Sequence, residues 1–275
     1  GPPVFAEKVE GGVRLSGRWP YVSGIDQSTW LQLSAKDPDI TEGKPRVLTC
    51  LLPREQAVVD DDWHCMGLKG TGSKTAVLED VFVPAHRVMC FREIEKQGVP
   101  GAAVNDGAMY SGIPNSTLFA MVVAAPAVGL AEAALAAYRD RIASRTNARM
   151  PSAQTEWPTS QSRLGRGRVR LDIAQRAMKT SADNIVVDIE GGAGVSPERQ
   201  VFYRMEMVEI IRICTEIIYE LFCDSGTGAS MDGNVLQRTF RDIHVLRSHF
   251  VLTPEFAEIN AGRVQLDLGP TGPFV

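Results

Sequence analysis

Histidine and cysteine are scarce in this chain, and their spacing argues against several kinds of site. Only four histidines are present, His64, His86, His244 and His249, so any imidazole chemistry must come from these. The last two are five residues apart, whereas helical zinc pairs occupy positions i and i+4, so a shared metal is not expected. The five cysteines form no CxxC pair and no zinc-like spacing, which indicates reduced thiols in a cytoplasmic protein.

The motifs of several enzyme classes are also absent. The chain has no GxSxG, no HExxH and no GxGxxG between a strand and a helix, which argues against serine hydrolases, zincins and Rossmann enzymes. It has no basic stripe and a formal net charge of −4, so nucleic acid is not an expected partner. Residues 67–74, GLKGTGSK, are not a phosphate loop, since a strand pattern follows them. We interpret them as a tight connection rather than a pocket wall.

One apolar run, residues 118–131, is the stretch most similar to a membrane span. Pro126 and Gly129 interrupt it, and Glu132 follows. A span needs about 20 residues, so we expect a buried core helix and no membrane association.

Two periodicities divide the chain. Residues 1 to about 110 show the alternation of strands, and from residue 116 the apolar residues recur with a helical period. The predicted helices cover residues 116–145, 160–189, 196–223 and 235–252, followed by an irregular tail. The third is apolar on nearly every side, which indicates full burial. Because so few other helices could cover it, we expect a subunit interface there.

Residues 17–24, GRWPYVSG, interrupt the first long strand pattern. Glycine lets the backbone approach a flat ligand, aromatic rings offer stacking faces, and a serine hydroxyl can donate or accept a hydrogen bond. These residues alone favour a simple bend between two strands over a ligand site.

Two polar clusters lie on the helical half. In residues 241–249, RDIHVLRSH, the spacing favours a solvated or salt-bridged helix face, and the alternative is a histidine acting as an acid or base. Arg139, Arg141, Arg145 and Arg149 cluster at the end of the first helix. They would either complement the helix dipole or hold a phosphate.

Three segments together resemble a known family: GRWPYVSG…W in residues 17–30, MGLKGTGSK…VLEDVFVPAHR in residues 66–87, and LQRTFRDIHVLRSH in residues 236–249. They are similar to the two-component flavin-dependent monooxygenases of the acyl-CoA dehydrogenase fold, which hydroxylate phenols or oxidise amino sugars. The resemblance implies an α+β fold with a middle β-barrel domain, residues 1–110, and a C-terminal four-helix bundle, residues 111–275. Because the chain starts without methionine and already in a strand pattern, we expect the family's N-terminal helical domain to be missing.

The resemblance also implies an activity. Such an enzyme uses externally reduced FAD or FMN and O₂ to hydroxylate a phenolic substrate through a C4a-hydroperoxyflavin. It implies a separate NAD(P)H-dependent flavin reductase as partner and a homotetrameric, cytoplasmic protein.

By the same resemblance, Ser23 lies beside flavin N5, and His249 faces flavin and substrate, where it deprotonates a phenol or supports the hydroperoxide. Arg145 matches an arginine near the flavin phosphates. The positions implied to bind the cofactor are Tyr21, Val22, Ser23, Gly24, Arg145, Gly226 and Thr227. The last two lie in a loop that reaches the flavin of a neighbouring subunit in the family.

Three alternatives stay open. An acyl-CoA dehydrogenase needs a glutamate base near the C-terminus, and residues 259–263, INAGR, do not provide one. N-oxidation of an amine or amino sugar by the same intermediate is hardly separable by sequence. A non-catalytic scaffold would keep the fold and bind no flavin.

Overall fold

The computed structural model describes residues 4–37, 46–90, 100–105, 107, 112–144, 152–192 and 194–272. The chain divides into two compact units, Gly1–Asp106 and Gly107–Val275. The first contains the strands and the second the long helices. The predicted domain boundary after residue 110 falls outside the described residues.

Two antiparallel sheets form the described part of the first unit. The strands are β1 (Glu7–Val9), β2 (Gly12–Val22), β3 (Trp30–Lys36), β4 (Val47–Pro53), β5 (Val58–Asp60), β6 (Lys74–Pro84) and β7 (Val88–Cys90). One sheet has the order β1-β2-β6-β5 and the other β3-β4-β7. Apolar side chains from both sheets, among them Leu15, Leu33, Cys50 and Ala76, form one core.

Strand β6 lies between β2 and β5. Its pairing with β2 is long, with Leu15 opposite Val81, and it is irregular between Trp19 and Val22. That irregularity increases the local bend and leads directly into the turn that follows β2. Strand β5 has only three residues, and the alternation in so short a segment is too weak to predict it.

Five helices form most of the described part of the second unit. They are α1 (Asn115–Ser144), α2 (Pro158–Glu190), α3 (Pro197–Asp224), α4 (Val235–Leu246) and α5 (Pro254–Gln265). The first three match the predicted helices to within two residues at each end. Ser196 caps α3 by accepting a hydrogen bond from the amide of Arg199 at 3.3 Å, and Pro197 takes the first helical position.

Two predictions at the C-terminal end were wrong. The helix predicted for residues 235–252 ends at Leu246, where the Ser248 hydroxyl donates back to the carbonyl of His244 at 3.0 Å. The tail predicted to be irregular contains α5. Asn260 and Gly262 weaken its local helix signal, but Asn260 is buried, so tertiary packing stabilises a helix of low propensity.

The additional helix changes the interpretation of α3. This helix contacts α1, α2, α4 and α5, so most of its apolar side chains are buried within the chain. The reason given for a subunit interface at α3, too few helices to cover it, was therefore wrong.

Helix α1 is long and apolar enough, by length and composition, to cross a membrane. Its alanines Ala120, Ala124, Ala127 and Ala131 recur every three or four residues and are fully buried. Its most extensive helix contacts are with α3. This packing supports the predicted core helix.

Candidate functional site

The turn at the end of β2, residues 21–24, is tight. Tyr21 has a φ of 63°, and 74% of its side chain is exposed. The amide of Ser23 donates to the carbonyl of Tyr21 at 3.0 Å, and the amide of Gly24 donates to the carbonyl of Thr71 at 2.7 Å. The bend predicted between two strands is therefore confirmed.

The connection before β6 packs against this turn. The hydroxyls of Ser23 and Ser73 are 2.8 Å apart, and those of Thr71 and Ser73 are 2.7 Å apart. Ser73 is buried, at 6% exposure, whereas Ser23 is exposed. The sequence interpretation of residues 67–74 as a mere connection missed this contact. The pairing of Val22 with Lys74 across β2 and β6 produces it.

An aromatic side chain that the sequence interpretation did not single out completes the exposed edge of the turn. The ring of Trp63 meets that of Tyr21 edge to face, with centroids 6.1 Å apart at 87°. Its indole N–H donates to the carbonyl of Leu68 at 3.0 Å, which fixes the ring. No spacing in the sequence links these two aromatics, since strands β3, β4 and β5 lie between them in the chain.

The three aspartates of residues 60–62 are individually paired. Asp60 binds Arg18 at 2.5 Å, and Asp61 binds Lys74 at 3.1 Å. Asp62 accepts from the amide and hydroxyl of Thr75, and mainly the hydroxyl bond lowers the pKa of this carboxyl. Among the residues that the structure describes, no group of three His, Cys, Asp or Glu side chains could hold a metal ion.

In the second unit, His249 lies beyond α4 and caps the short 3₁₀ turn Phe250–Leu252. Its Nδ1 accepts from the amide of Val251 at 3.4 Å. The ring meets Phe119 edge to face at 5.4 Å and stacks on Phe250 at 4.9 Å. This aromatic setting is apolar, and burial lowers the pKa of the imidazole.

A neutral imidazole carries one proton. The amide of Val251 is directed at Nδ1 of His249 at 3.4 Å, which favours the tautomer with the proton on Nε2. In that tautomer the Nε2 edge of the ring presents an N–H donor.

The turn capped by His249 is held by a buried cation. Arg204 on α3 is 6% exposed, and its Nε donates to the carbonyl of Val251 at 2.8 Å. Burial lowers the pKa of this guanidinium. His244, in contrast, places Nδ1 2.6 Å from the carbonyl of Phe240 and packs against that residue's ring, which makes it a satisfied helix residue.

The loop after α3 contains Gly226 and Thr227. Gly226 has φ 68° and ψ 179°, and Thr227 begins a 3₁₀ turn. Arg141 donates to the carbonyl of Ser225 through Nε at 3.0 Å and Nη2 at 2.7 Å. This contact engages one of the four arginines that cluster at the end of α1. Arg145, the predicted phosphate ligand, lies outside the described residues.

A buried phenol secures the same end of α3. Tyr138 is fully buried and donates to the carboxylate of Asp224 at 2.5 Å. Arg163 binds the other oxygen of Asp224 at 2.9 Å. Burial, followed by the bond to Asp224, raises the pKa of Tyr138 to about 12.

Known proteins resemble the whole chain. Residues 121–254 match the family described as acyl-CoA dehydrogenase, C-terminal domain. The oxygenase subunit HsaA of a flavin-dependent monooxygenase from Rhodococcus jostii (strain RHA1) is 32% identical over 100% of this chain and 72% of its own length. The oxygenase component of FADH(2)-dependent resorcinol hydroxylase from Rhizobium sp. (strain MTP-10005) is 30% identical over 99% and 69%.

The chain belongs to the oxygenase components of flavin-dependent monooxygenases. It is an oxidoreductase with an acyl-CoA dehydrogenase-like fold of mixed helices and sheets. The structure of XiaF from Streptomyces sp., in complex with FADH2 and glycerol, superposes with a TM-score of 0.86. That protein is 28% identical and covers 98% of this chain and 68% of its own.

The turn after β2 in this monooxygenase fits a flavin ring. An isoalloxazine has apolar faces and a polar edge of N–H, N and C=O groups. Ser23 offers a hydroxyl, Tyr21 an aromatic surface, and the α-carbon of Gly24 has open space around it. These neutral groups match the polar edge and faces of such a ring.

Proposed function

We propose that this monooxygenase hydroxylates a phenolic aromatic substrate, with the isoalloxazine ring of a reduced flavin against residues 21–24. The observation that carries the proposal is the exposed Ser23 hydroxyl, supported from behind by the buried hydroxyl of Ser73 at 2.8 Å. A reduced flavin, when bound, supplies the activation of O₂. The protein has to position it and exclude water.

In this proposal Ser23 contacts flavin N5 and holds the proton there. Val22 and Gly24 contribute backbone beside the ring, because a positive φ of 78° at Gly24 turns the chain at that point. Tyr21, braced by Trp63, covers an edge. By holding the N5 proton, Ser23 would disfavour loss of the activated oxygen as hydrogen peroxide.

His249 acts on the substrate in this proposal. The resemblance implied that it deprotonates a phenol or supports the hydroperoxide; the contact from the amide of Val251 to Nδ1 favours a donor at Nε2. We assign it a hydrogen bond from Nε2–H to the oxygen of a substrate that binds as the phenolate, after its phenolic proton has been lost to solvent; this bond stabilises the phenolate. A hydrogen bond to a charged group contributes about 1.5–3 kcal/mol. The ring of a phenolate is a better nucleophile than the ring of the neutral phenol.

Arg145, Gly226 and Thr227 complete the proposed cofactor contacts. Arg145 would bind the flavin phosphates, and the loop of Gly226 and Thr227 would reach the flavin of a neighbouring subunit in a homotetramer. The anchoring of that loop by Arg141 supports a fixed conformation. The middle β-barrel and the C-terminal four-helix bundle belong to the same proposal.

The partner of this oxygenase is proposed to be a separate NAD(P)H-dependent flavin reductase in the cytoplasm. Resorcinol hydroxylase is named as FADH(2)-dependent, and XiaF was crystallised with FADH2. We therefore propose reduced FAD, rather than FMN, as the preferred cofactor.

The test is the partition of oxygen in Ser23→Ala. With a reductase, NADH, FAD and a panel of phenols, the wild type should convert most reduced flavin into hydroxylated product. The variant should release most of its oxygen as hydrogen peroxide while still binding flavin. If the wild type and Ser23→Ala form equal amounts of product per reduced flavin, Ser23 does not have the proposed role.

A further inference from the structure

Three hydroxyls behind the turn form a chain with a defined direction. The Thr71 hydroxyl lies 2.9 Å from the carbonyl oxygen of Leu68. A carbonyl oxygen can only accept, so the single proton of Thr71 is used there. Thr71 must then accept from Ser73, and Ser73, having used its own proton, must accept from Ser23.

The direction fixes what Ser23 presents to a ligand. Its own proton points inward to Ser73, at 2.8 Å. Its outward side therefore carries lone pairs. The exposed end of the chain is an acceptor, although a serine hydroxyl in general can also donate.

Flavin N5 is a donor in one redox state and an acceptor in the other. The reduced ring carries a hydrogen on N5, whereas the oxidised ring has only a lone pair there. Accepting from the reduced ring leaves the hydroxyl chain intact. Facing the oxidised ring, Ser23 either opposes two lone pairs or must turn its proton outward.

Turning that proton outward disturbs more than one bond. Ser73 must reverse to keep a bond with Ser23, and Thr71 must then give up its bond to Leu68. Ser73 is buried, so the loss of its hydrogen bonds would be costly. Ser23, the outermost of the three hydroxyls, is thus linked through Ser73 and Thr71 to the backbone carbonyl of Leu68.

We infer that Ser73 and Thr71 are positioning residues that hold Ser23 as an acceptor and so make the site select reduced over oxidised flavin. This inference rests on the proposed contact between Ser23 and N5. It adds Thr71 and Ser73, in the loop before β6, to the residues that shape the proposed flavin site. Neither residue needs to contact the flavin.

The inference is tested by anaerobic titration of oxidised and of dithionite-reduced FAD. Thr71→Val replaces one hydroxyl by a methyl group of similar volume, and Ser73→Ala removes the middle link. In both variants the Ser23 hydroxyl is free to turn its proton outward and donate a hydrogen bond to oxidised flavin. The ratio of the dissociation constants for oxidised and reduced FAD should fall about tenfold, which corresponds to about 1.4 kcal/mol.

Two controls separate this effect from general damage. Thr71→Ser keeps the hydroxyl and should restore the wild-type ratio. Ser28→Ala removes a hydroxyl from the same turn region. This hydroxyl donates to the carbonyl of Gly24 at 2.8 Å and is not one of the three linked hydroxyls. The Ser28→Ala variant should leave the ratio unchanged.

The outcomes distinguish this inference from the proposed function. If the wild type prefers reduced FAD and both variants keep the same ratio, the inference is overturned while the proposed function stands. If the wild type binds neither form, both are overturned. A lower ratio in Thr71→Val alone supports the inference even if Ser73→Ala does not fold.

Discussion

At His249, the position of the ring proton determines whether the side chain donates a hydrogen bond to the phenolic oxygen. His249→Asn keeps an N–H donor and a good cap, whereas His249→Asp keeps the cap without the donor. We expect the asparagine variant to retain most of the hydroxylation rate. The aspartate variant should lose about 10–100-fold, the equivalent of one hydrogen bond to a charged group.

The two variants are compared in single-turnover assays with reduced FAD and a phenol, together with flavin affinity. Affinity should change little in either variant. A loss of the same size in both would show that the donor is not what matters.

The same imidazole predicts a pH dependence of stability. Burial lowers its folded pKa below the unfolded value of about 6.5, so the unfolded chain takes up a proton first as the pH falls. The stabilising contribution is complete above about pH 6.5 and is lost as the pH falls through the folded pKa. Between about pH 7.5 and about pH 5.5 the Tm of the wild type should therefore drop more than that of His249→Asn. Equal drops in thermal melts would contradict this account.

At the residue scale, the sequence indicated some of the site and missed the rest for a clear reason. Ser23 and His249 lie in segments that resemble the family. Ser73 and Trp63 become neighbours of the turn only through the fold, although 50 and 42 residues of chain separate them from Ser23 and Tyr21. Such contacts depend on register, which local periodicity does not specify.

At the scale of elements, the C-terminal end of α3 depends on a buried phenol. Tyr138→Phe removes the hydrogen bond to Asp224, which keeps Arg163 as its partner. We expect the free energy of unfolding to fall by about 1–3 kcal/mol. Tyr219→Phe is the matched control, because that tyrosine is 53% exposed.

Urea denaturation of both variants gives the comparison. The control should remain close to the wild type. If Tyr138→Phe is as stable as the control, the bond between α1 and α3 contributes nothing measurable.

Strong periodicity predicted the long elements well, and weak periodicity predicted the short ones poorly. Helices α1 to α3 follow apolar residues spaced by three and four, and α3 starts at a serine and proline that cap it. Strand β5 is too short for alternation to be distinctive. Helix α5 contains residues of low helix propensity and is stabilised by its contacts with α3.

At the scale of the whole molecule, function followed from resemblance and not from composition. The negative charge, the free thiols and the absence of hydrolase motifs excluded classes of activity without choosing one. The three family segments lie in both units, and relatives at 30–32% identity span nearly the entire chain. The substrate depends on the shape of a pocket, which no short motif encodes.

The most direct test of the central claim is the fate of labelled oxygen. The purified protein is supplied with reduced FAD, ¹⁸O₂ and a phenol that it converts, and the product is analysed by mass spectrometry. A monooxygenase with its flavin against residues 21–24 should place one ¹⁸O atom in the product for nearly every flavin oxidised, and Ser23→Ala should place far fewer. Recovery of all the label as hydrogen peroxide, or product oxygen derived from water, would contradict the account.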